Sequence, residues 1–390
     1  MDWVDVVLIL VVVAAAVHGL RLGALLQVFT FGGFLLGMVL GMLLSVAIGS
    51  SIHSQGVRVA VVLLLVLGLA ILFGIGGRVL GSWSTVAARR RHLGSVDSVL
   101  GVAVAVVAVL VSAWLVAYML SQSRFVWLSS AIQRSDVLKA VDDVMPPPPD
   151  VFTPLQTFLS NSGFPPVFVG ISPAPARPVA TPSGSEADLI GSAAEGSMVK
   201  VLGQACGYLQ EGSGFVVAPG LVVTNAHVVA GEPSTEVVVQ GVPYPATAVL
   251  FDPNFDLAVL RTRAPLGPPL DLDPDEVGRG TQGAVLGYPK NGPLVIGPAG
   301  VASSLTAEGR DIYNKGTVVR SVYQVDANVQ PGNSGGPVVQ ADGTVIGVVF
   351  SRSTVSADVG YALASPGVLA RVQQAELRPT AVSTGACVQS

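Results

Sequence analysis

The distribution of apolar and polar positions divides the chain into three zones. Four long apolar runs fill the first, at about 4–20, 22–48, 57–80 and 99–120. A helix needs ~20 apolar residues to cross a hydrocarbon core of ~30 Å. The second, third and fourth runs meet that length. The first is shorter and carries Asp5, yet Val6 to Val17 holds no charge. A secretory signal peptide is its rival reading, but Asp2 and Asp5 stand where basic residues belong. Residues 1–122 are therefore expected to form a four-span α-helical transmembrane domain. In the second zone, 123–198, the runs stop. Val126, Ile132, Val137, Leu138 and Val141 lie among charges and predict a short amphipathic helix within 125–144. Prolines then crowd 146–149, 165, 166, 173, 175, 178 and 182. That composition favours extended chain and predicts a tether, with Phe164–Phe168 able to pack onto the third zone. In that third zone, 199–390, short β-rich runs alternate with Gly and Pro turns. Examples are Gly214–Val217, Leu221–Val223, Leu257–Arg261, Gln282–Leu286, Val318–Val325 and Val345–Phe350. Many short strands at such spacing predict an all-β barrel or sandwich, and the zone is long enough for two six-stranded barrels.

Composition sharpens this division. Hydrophobic residues make up 51% of the chain and charged residues 12%, about half the ~25% charge of ordinary soluble domains. The net charge is −4, and no basic, aromatic-laced patch suggests nucleic acid. Two cysteines, Cys206 and Cys387, form no CxxC pair, so neither a metal site nor any other cofactor is expected. Basic residues set the orientation of membrane helices. Arg21 lies between runs one and two, and Arg89, Arg90 and Arg91 lie between runs three and four. Both loops are expected in the cytoplasm, which puts both termini and the third zone outside. Gly33, Gly37 and Gly41 recur every four residues and share one helix face. Such spacing lets helix backbones approach closely, either within the bundle or between copies of the chain.

Three segments of the third zone carry candidate chemistry: Thr224–Val229 (TNAHVV), Asp252–Leu260 (DPNFDLAVL) and Gly332–Pro337 (GNSGGP). They offer His227, Asp256 and Ser334, in an order that is one of the known arrangements of a Ser-His-Asp triad. A serine hydroxyl needs an adjacent base to act as a nucleophile at neutral pH. His227 would accept its proton, and Asp256 would hold the imidazole's tautomer and stabilise its charged form. Glycines around Ser334 permit a tight turn that aims the N–H groups of Gly332 and Ser334 at one spot, an oxyanion hole.

With those spacings, and with Gly212–Val217 upstream and Gly360–Leu363 downstream, the stretch 200–370 resembles the trypsin-like proteases in their bacterial HtrA branch. That resemblance implies an all-β chymotrypsin-like double β-barrel acting as a serine endopeptidase. Only about 20 residues follow position 370, so a PDZ domain is not expected. Asp5, the run behind it and Gly19–Gly23 resemble the colicin V production protein family. The combination is similar to mycobacterial membrane-bound serine proteases associated with acid resistance. It implies a multi-pass protein of the bacterial cell membrane that cuts extracytoplasmic protein substrates, with the lipid bilayer as its other partner. Six residues before the nucleophile, Asn328 falls where this family floors its first specificity pocket. Phe350 and Ser351 fall on the substrate-binding strand, Phe350 narrowing the pocket, with Asp326 as an alternative acidic pocket residue. In an oxidising compartment Cys206 and Cys387 are expected to pair. They close a loop of 387 − 206 = 181 residues, for which the chain-entropy model allows up to ~5 kcal/mol. The competing function is a secretion- or transport-associated membrane protein whose protease-like domain only binds peptides.

Overall fold

The computed structural model describes residues 2–49, 55–90, 94–121, 126–146, 167–168, 171–205, 207–377 and 380–388. They fall into two compact units, Met1–Leu159 and Ser160–Ser390.

The first unit holds four long helices, α1 Trp3–Leu22, α2 Ala24–Gly49, α3 Gln55–Arg90 and α4 Gly94–Leu120. All four are long and apolar enough to span a membrane, over Trp3–Leu22, Ala24–Leu44, Leu64–Thr85 and Ser95–Tyr118. The glycine stripe is spent inside the unit. A Cβ on Gly33 would lie 2.3 Å from Phe73 O, one on Gly37 2.2 Å from Leu69 O, and one on Gly41 2.6 Å from Val66 Cα. Helices α2 and α3 thus pack antiparallel, backbone against backbone, as small residues allow. Gly19 and Gly101 do the same for α1 and α4. Two short helices follow, α5 Val126–Arg134 and α6 Asp136–Asp142. The single amphipathic helix expected here is split at Ser135, whose hydroxyl caps α6 through Leu138 N. Asp5 ties this pair back to α1: its carboxylate accepts from Ser135 Oγ at 2.6 Å and from Val137 N at 3.2 Å.

The second unit contains two closed six-stranded barrels, as expected. The first joins β1 Met198–Ala205, β2 Tyr208–Ala218, β3 Leu221–Thr224, β4 Thr235–Val239, β5 Val242–Asp252 and β6 Leu257–Thr262 in the order β1-β2-β3-β6-β5-β4. The second joins β7 Gln282–Gly287, β8 Val295–Arg310, β9 Thr317–Asp326, β10 Pro337–Gln340, β11 Val345–Arg352 and β12 Val359–Ala364 in the order β10-β11-β12-β9-β8-β7. Alternating strand residues fill each interior. Val199, Val201, Val222, Val237 and Leu260 fill the first, and Val285, Tyr323, Val325, Ile346 and Val349 the second. A further cluster, including Phe215, Leu257, Leu286, Val348 and Leu363, cements the barrels to one another.

The zone expected to be a tether is partly ordered structure on the second barrel. Val167 and Phe168 are buried in the inter-barrel core, and Phe168 stacks edge-on against Tyr361 at 5.5 Å; Phe164 lies outside the described residues. Ala176 N donates to Gln324 Oε1 at 2.9 Å and Val179 N to Asp326 Oδ2 at 2.7 Å. A helix, α7 Gly184–Glu195, then forms behind a Ser183/Glu186 capping box. Its Ala187, Gly191 and Ala194 face is small enough to lie against β8, where a Cβ on Gly191 would meet Ile296 at 2.5 Å. The surrounding prolines mask this helix in the sequence, although capping box and small face are both written there. Helix α8 Ala226–Val229 sits after β3, and α9 Ser365–Glu376 follows β12.

Candidate active site

Three turns bring the candidate residues to the region between the barrels. Strand β3 ends at Thr224, and the single turn of α8 presents His227. Asp256 sits at the mouth of the turn between β5 and β6, with φ +64°. That left-handed conformation is one that Asp tolerates better than most residues. Asp252 shapes the turn by accepting from Asn254 N at 3.0 Å and Phe255 N at 2.9 Å. Asp256 is fully buried. Its Oδ2 lies 2.8 Å and its Oδ1 3.0 Å from His227 Nδ1, and Oδ1 also accepts from His227 N at 3.0 Å. Asn225 Nδ2 holds the Asp256 carbonyl at 2.8 Å. The imidazole is thereby fixed through Nδ1, which leaves Nε2 as its free nitrogen.

Ser334 lies on the glycine turn that leads into β10 and is 4% exposed. Gly332 has φ +97° and Gly335 +85°, which side chains rarely adopt. A Cβ on Gly332 would also meet Tyr288 O at 2.4 Å. Ser213 on β2 braces this turn from the first barrel. Its N–H donates to Ser334 O at 2.8 Å and its hydroxyl to Gly332 O at 2.6 Å, while Tyr288 N donates to Ser213 Oγ at 2.9 Å. Lys290 N draws the Pro331 carbonyl away at 2.8 Å. Among the described residues, the N–H groups of Gly332 and Ser334 have no acceptor and no hydrogen bond joins Ser334 Oγ to His227. In free hydrolases that last contact commonly tightens only with substrate.

The expected pocket residues differ in exposure. Asn328 is exposed and accepts from Gln330 Nε2 at 3.1 Å. Ser351 is nearly buried. Phe350, expected to narrow the pocket, is fully buried in the inter-barrel core with the Arg320 guanidinium over its ring at 5.9 Å. Asp326, the alternative pocket acid, is engaged by Val179 N instead. The C-terminal tail docks beside the His227 turn: Gly231 N donates to Thr384 O at 3.0 Å, and Thr384 Oγ1 to Glu232 O at 2.8 Å. Sequence reasoning passes over Glu232. It is nearly buried, accepts from Thr235 Oγ1 through Oε2, and leaves Oε1 unpartnered. Burial pushes its carboxyl up to about 7, against the Thr235 hydrogen bond.

Two barrels with this turn between them define a serine protease of the trypsin-like, HtrA class, and comparison with known proteins agrees. Residues 212–348 match the trypsin-like peptidase domain, and residues 4–146 match the colicin V production protein family. The serine protease Rv3671c of Mycobacterium tuberculosis is 37% identical over 394 residues, covering 99% of each chain. The chain belongs to the family of that protease. The crystal structure of the active form of the Rv3671c protease superposes with TM-score 0.54 at 36% identity, covering 57% of this chain and all of that one. The mitochondrial serine protease HTRA2 of Bos taurus is 39% identical over 162 residues, 40% of this chain and 34% of that protein.

Proposed function

We propose that the chain is a membrane-anchored serine endopeptidase that hydrolyses extracytoplasmic proteins with His227, Asp256 and Ser334. The observation that carries this reading is the buried Asp256 carboxylate on His227 Nδ1, set beside a glycine turn whose Gly332 and Ser334 N–H groups lack acceptors. In the reaction, His227 Nε2 takes the Ser334 hydroxyl proton as Oγ attacks the peptide carbonyl. The two free N–H groups receive the oxygen's developing charge. Collapse breaks the C–N bond, and the imidazolium returns its proton to the departing amine. Water, activated by the same histidine, then hydrolyses the acyl-enzyme. Asp256 keeps the Nδ1–H tautomer and stabilises the imidazolium. Asn328, Phe350 and Ser351 remain the proposed substrate-binding residues, and a role in envelope or acid stress is what the family resemblance implies.

The test uses the full chain in detergent with a serine-directed phosphonate and a protein substrate. Covalent labelling and cleavage are expected, and both are expected to vanish in Ser334→Ala. Labelling that persists in that variant removes Ser334 from the role. In cells, a phenotype that survives Ser334→Ala favours the peptide-binding alternative.

A further inference from the structure

The turn that presents Asp256 belongs to the first barrel, but most of what holds it comes from the second. Its five residues, Asp252 to Asp256, expose a run of carbonyls that need donors. Asp252 O is closed internally by Asp256 N at 2.9 Å. Pro253 O accepts from Ile312 N, just beyond β8, at 3.2 Å. Asn254 O accepts from Arg320 Nε on β9 at 2.7 Å. The Asp252 carboxylate, which shapes the turn through Oδ1, receives Arg371 Nε from α9 on Oδ2 at 2.7 Å. The Arg371 guanidinium also lies 3.5 Å above the Phe255 ring. Helix α9 comes this close only because residue 367 is glycine: a Cβ there would meet Phe255 Cζ at 2.6 Å.

Arg320 is the more unusual of the two arginines. Its side chain is almost wholly buried, packed over Phe350, with Nη2 donating to Arg310 O at 2.8 Å. Burial pushes its pKa down, and the carboxylates of Asp256, Asp252 and Asp311 oppose that shift. A buried cation is costly unless it is paired and hydrogen-bonded. Here Nε and Nη2 are held by two backbone carbonyls, Nη1 has no partner among the described residues, and the cation lies in the field of the carboxylate behind His227.

We propose that Arg320 and Arg371 are positioning residues for hydrolysis: from β9 of the second barrel and from the helix that follows it they grip the turn that presents Asp256, and so hold the His–Asp pair in register with Ser334. The proposal rests on His227, Asp256 and Ser334 acting as a triad. Ser334 rides on the second barrel and His227 on the first, so the reacting groups come from separate bodies. An ångström of slip between them is enough to lose much of the rate. The two arginines turn the packing of barrel on barrel into alignment of the base.

The test measures kcat and KM of the full chain in detergent on a chromogenic peptide for Arg371→Met, Arg320→Met and Arg320→Lys, alone and combined with Asp256→Asn. Arg371 is partly exposed, so its replacement is the variant expected to fold, as judged by an unchanged melting temperature. Arg371→Met is expected to lower kcat by roughly three- to tenfold, and Arg320→Met by roughly ten- to hundredfold, the worth of one partly exposed and one buried charge-assisted hydrogen bond. KM should stay put, and Arg320→Lys should recover part of the loss because an ammonium serves one carbonyl and not two. In the Asp256→Asn background neither arginine change should cost more, since no carboxylate remains to be aligned. A folded Arg371→Met with parental kcat overturns the proposal. So does an equal loss in the Asp256→Asn background, which would make the arginines part of the fold alone. An Asp256→Asn enzyme with full activity is a different result, and it removes the triad reading itself.

Discussion

His227 sets the pH behaviour expected of this enzyme, and it sits awkwardly with acid. A general base must be unprotonated to take the Ser334 proton. kcat/KM on a short, non-titrating peptide is therefore expected to fall in acid. A profile that peaks near pH 5 would mean that the rate is set by an acid-driven conformational step. Any advantage in acid then comes from elsewhere, such as unfolding of the substrate or release from an inhibited state. At this scale His227, Asp256 and Ser334 are legible, because their neighbours in sequence are the turn residues that the chemistry requires. The surroundings of Phe350 and Asp326 are not. Strand position says that a side chain alternates between faces, but not what lies on each face. Arg320 and the segment through Val179 come from distant parts of the chain, and they claim those two residues.

Among the elements, the turn after α8 carries the second pH response. Glu232 N donates to Val229 O at 3.2 Å, and its carboxyl fills the space that a side chain on Gly203 of β1 would need. Its folded pKa of about 7 stands above the ordinary glutamate value of 4.5. The folded state therefore binds the proton more tightly than the unfolded state does. The cost of the buried carboxylate is present above pH 7, shrinks as pH falls through 7, and is gone below 4.5. The shift corresponds to a gain on the order of 3 kcal/mol on acidification. Glu232→Gln is expected to melt higher than the parent at about pH 8 and to converge with it near pH 4.5. Parallel melting curves across that range would show that Glu232 is already neutral or solvated at the alkaline end. Element boundaries show the same limits of reading. Strand β8 does not stand out in the sequence because Gly297, Pro298 and Gly300 interrupt it. The ladder tolerates them because β7 and β9 pair along its two sides.

For the whole molecule, the expectation is that both termini and the protease unit lie outside the cytoplasm, with Arg21 and Arg89–Arg91 inside. A disulfide between Cys206 and Cys387 belongs with that placement. Cys206 lies outside the described residues, so the pairing is a proposal. A reporter fused after Ser390 is expected to be active only when it is exported. Non-reducing peptide mapping of protein from intact cells should recover the peptides holding Cys206 and Cys387 as one species. A reporter active only in the cytoplasm, or two free thiols, would reverse the orientation argument.

By itself, the sequence determined that the first third consists of helices long and apolar enough to span a membrane and that the last half is a two-barrel serine protease, and it offered His227, Asp256 and Ser334 as the candidate base, acid and nucleophile. Those features are local. A span needs only length and hydropathy, and each catalytic turn needs only its own glycines, asparagine or aspartate. Only the tertiary structure decided that the glycine stripe is consumed between α2 and α3, that Ala176 and Val179 of the proline-rich stretch bond to β9, and that Arg320 of β9 and Arg371 of α9 hydrogen-bond to the turn before Asp256. The physical reason is the range of the forces. Close packing and buried charge depend on which surfaces meet. Asn254 and Arg320 stand 66 positions apart and Val179 and Asp326 stand 147 apart, and neither pair carries a mark of its meeting in its own neighbourhood.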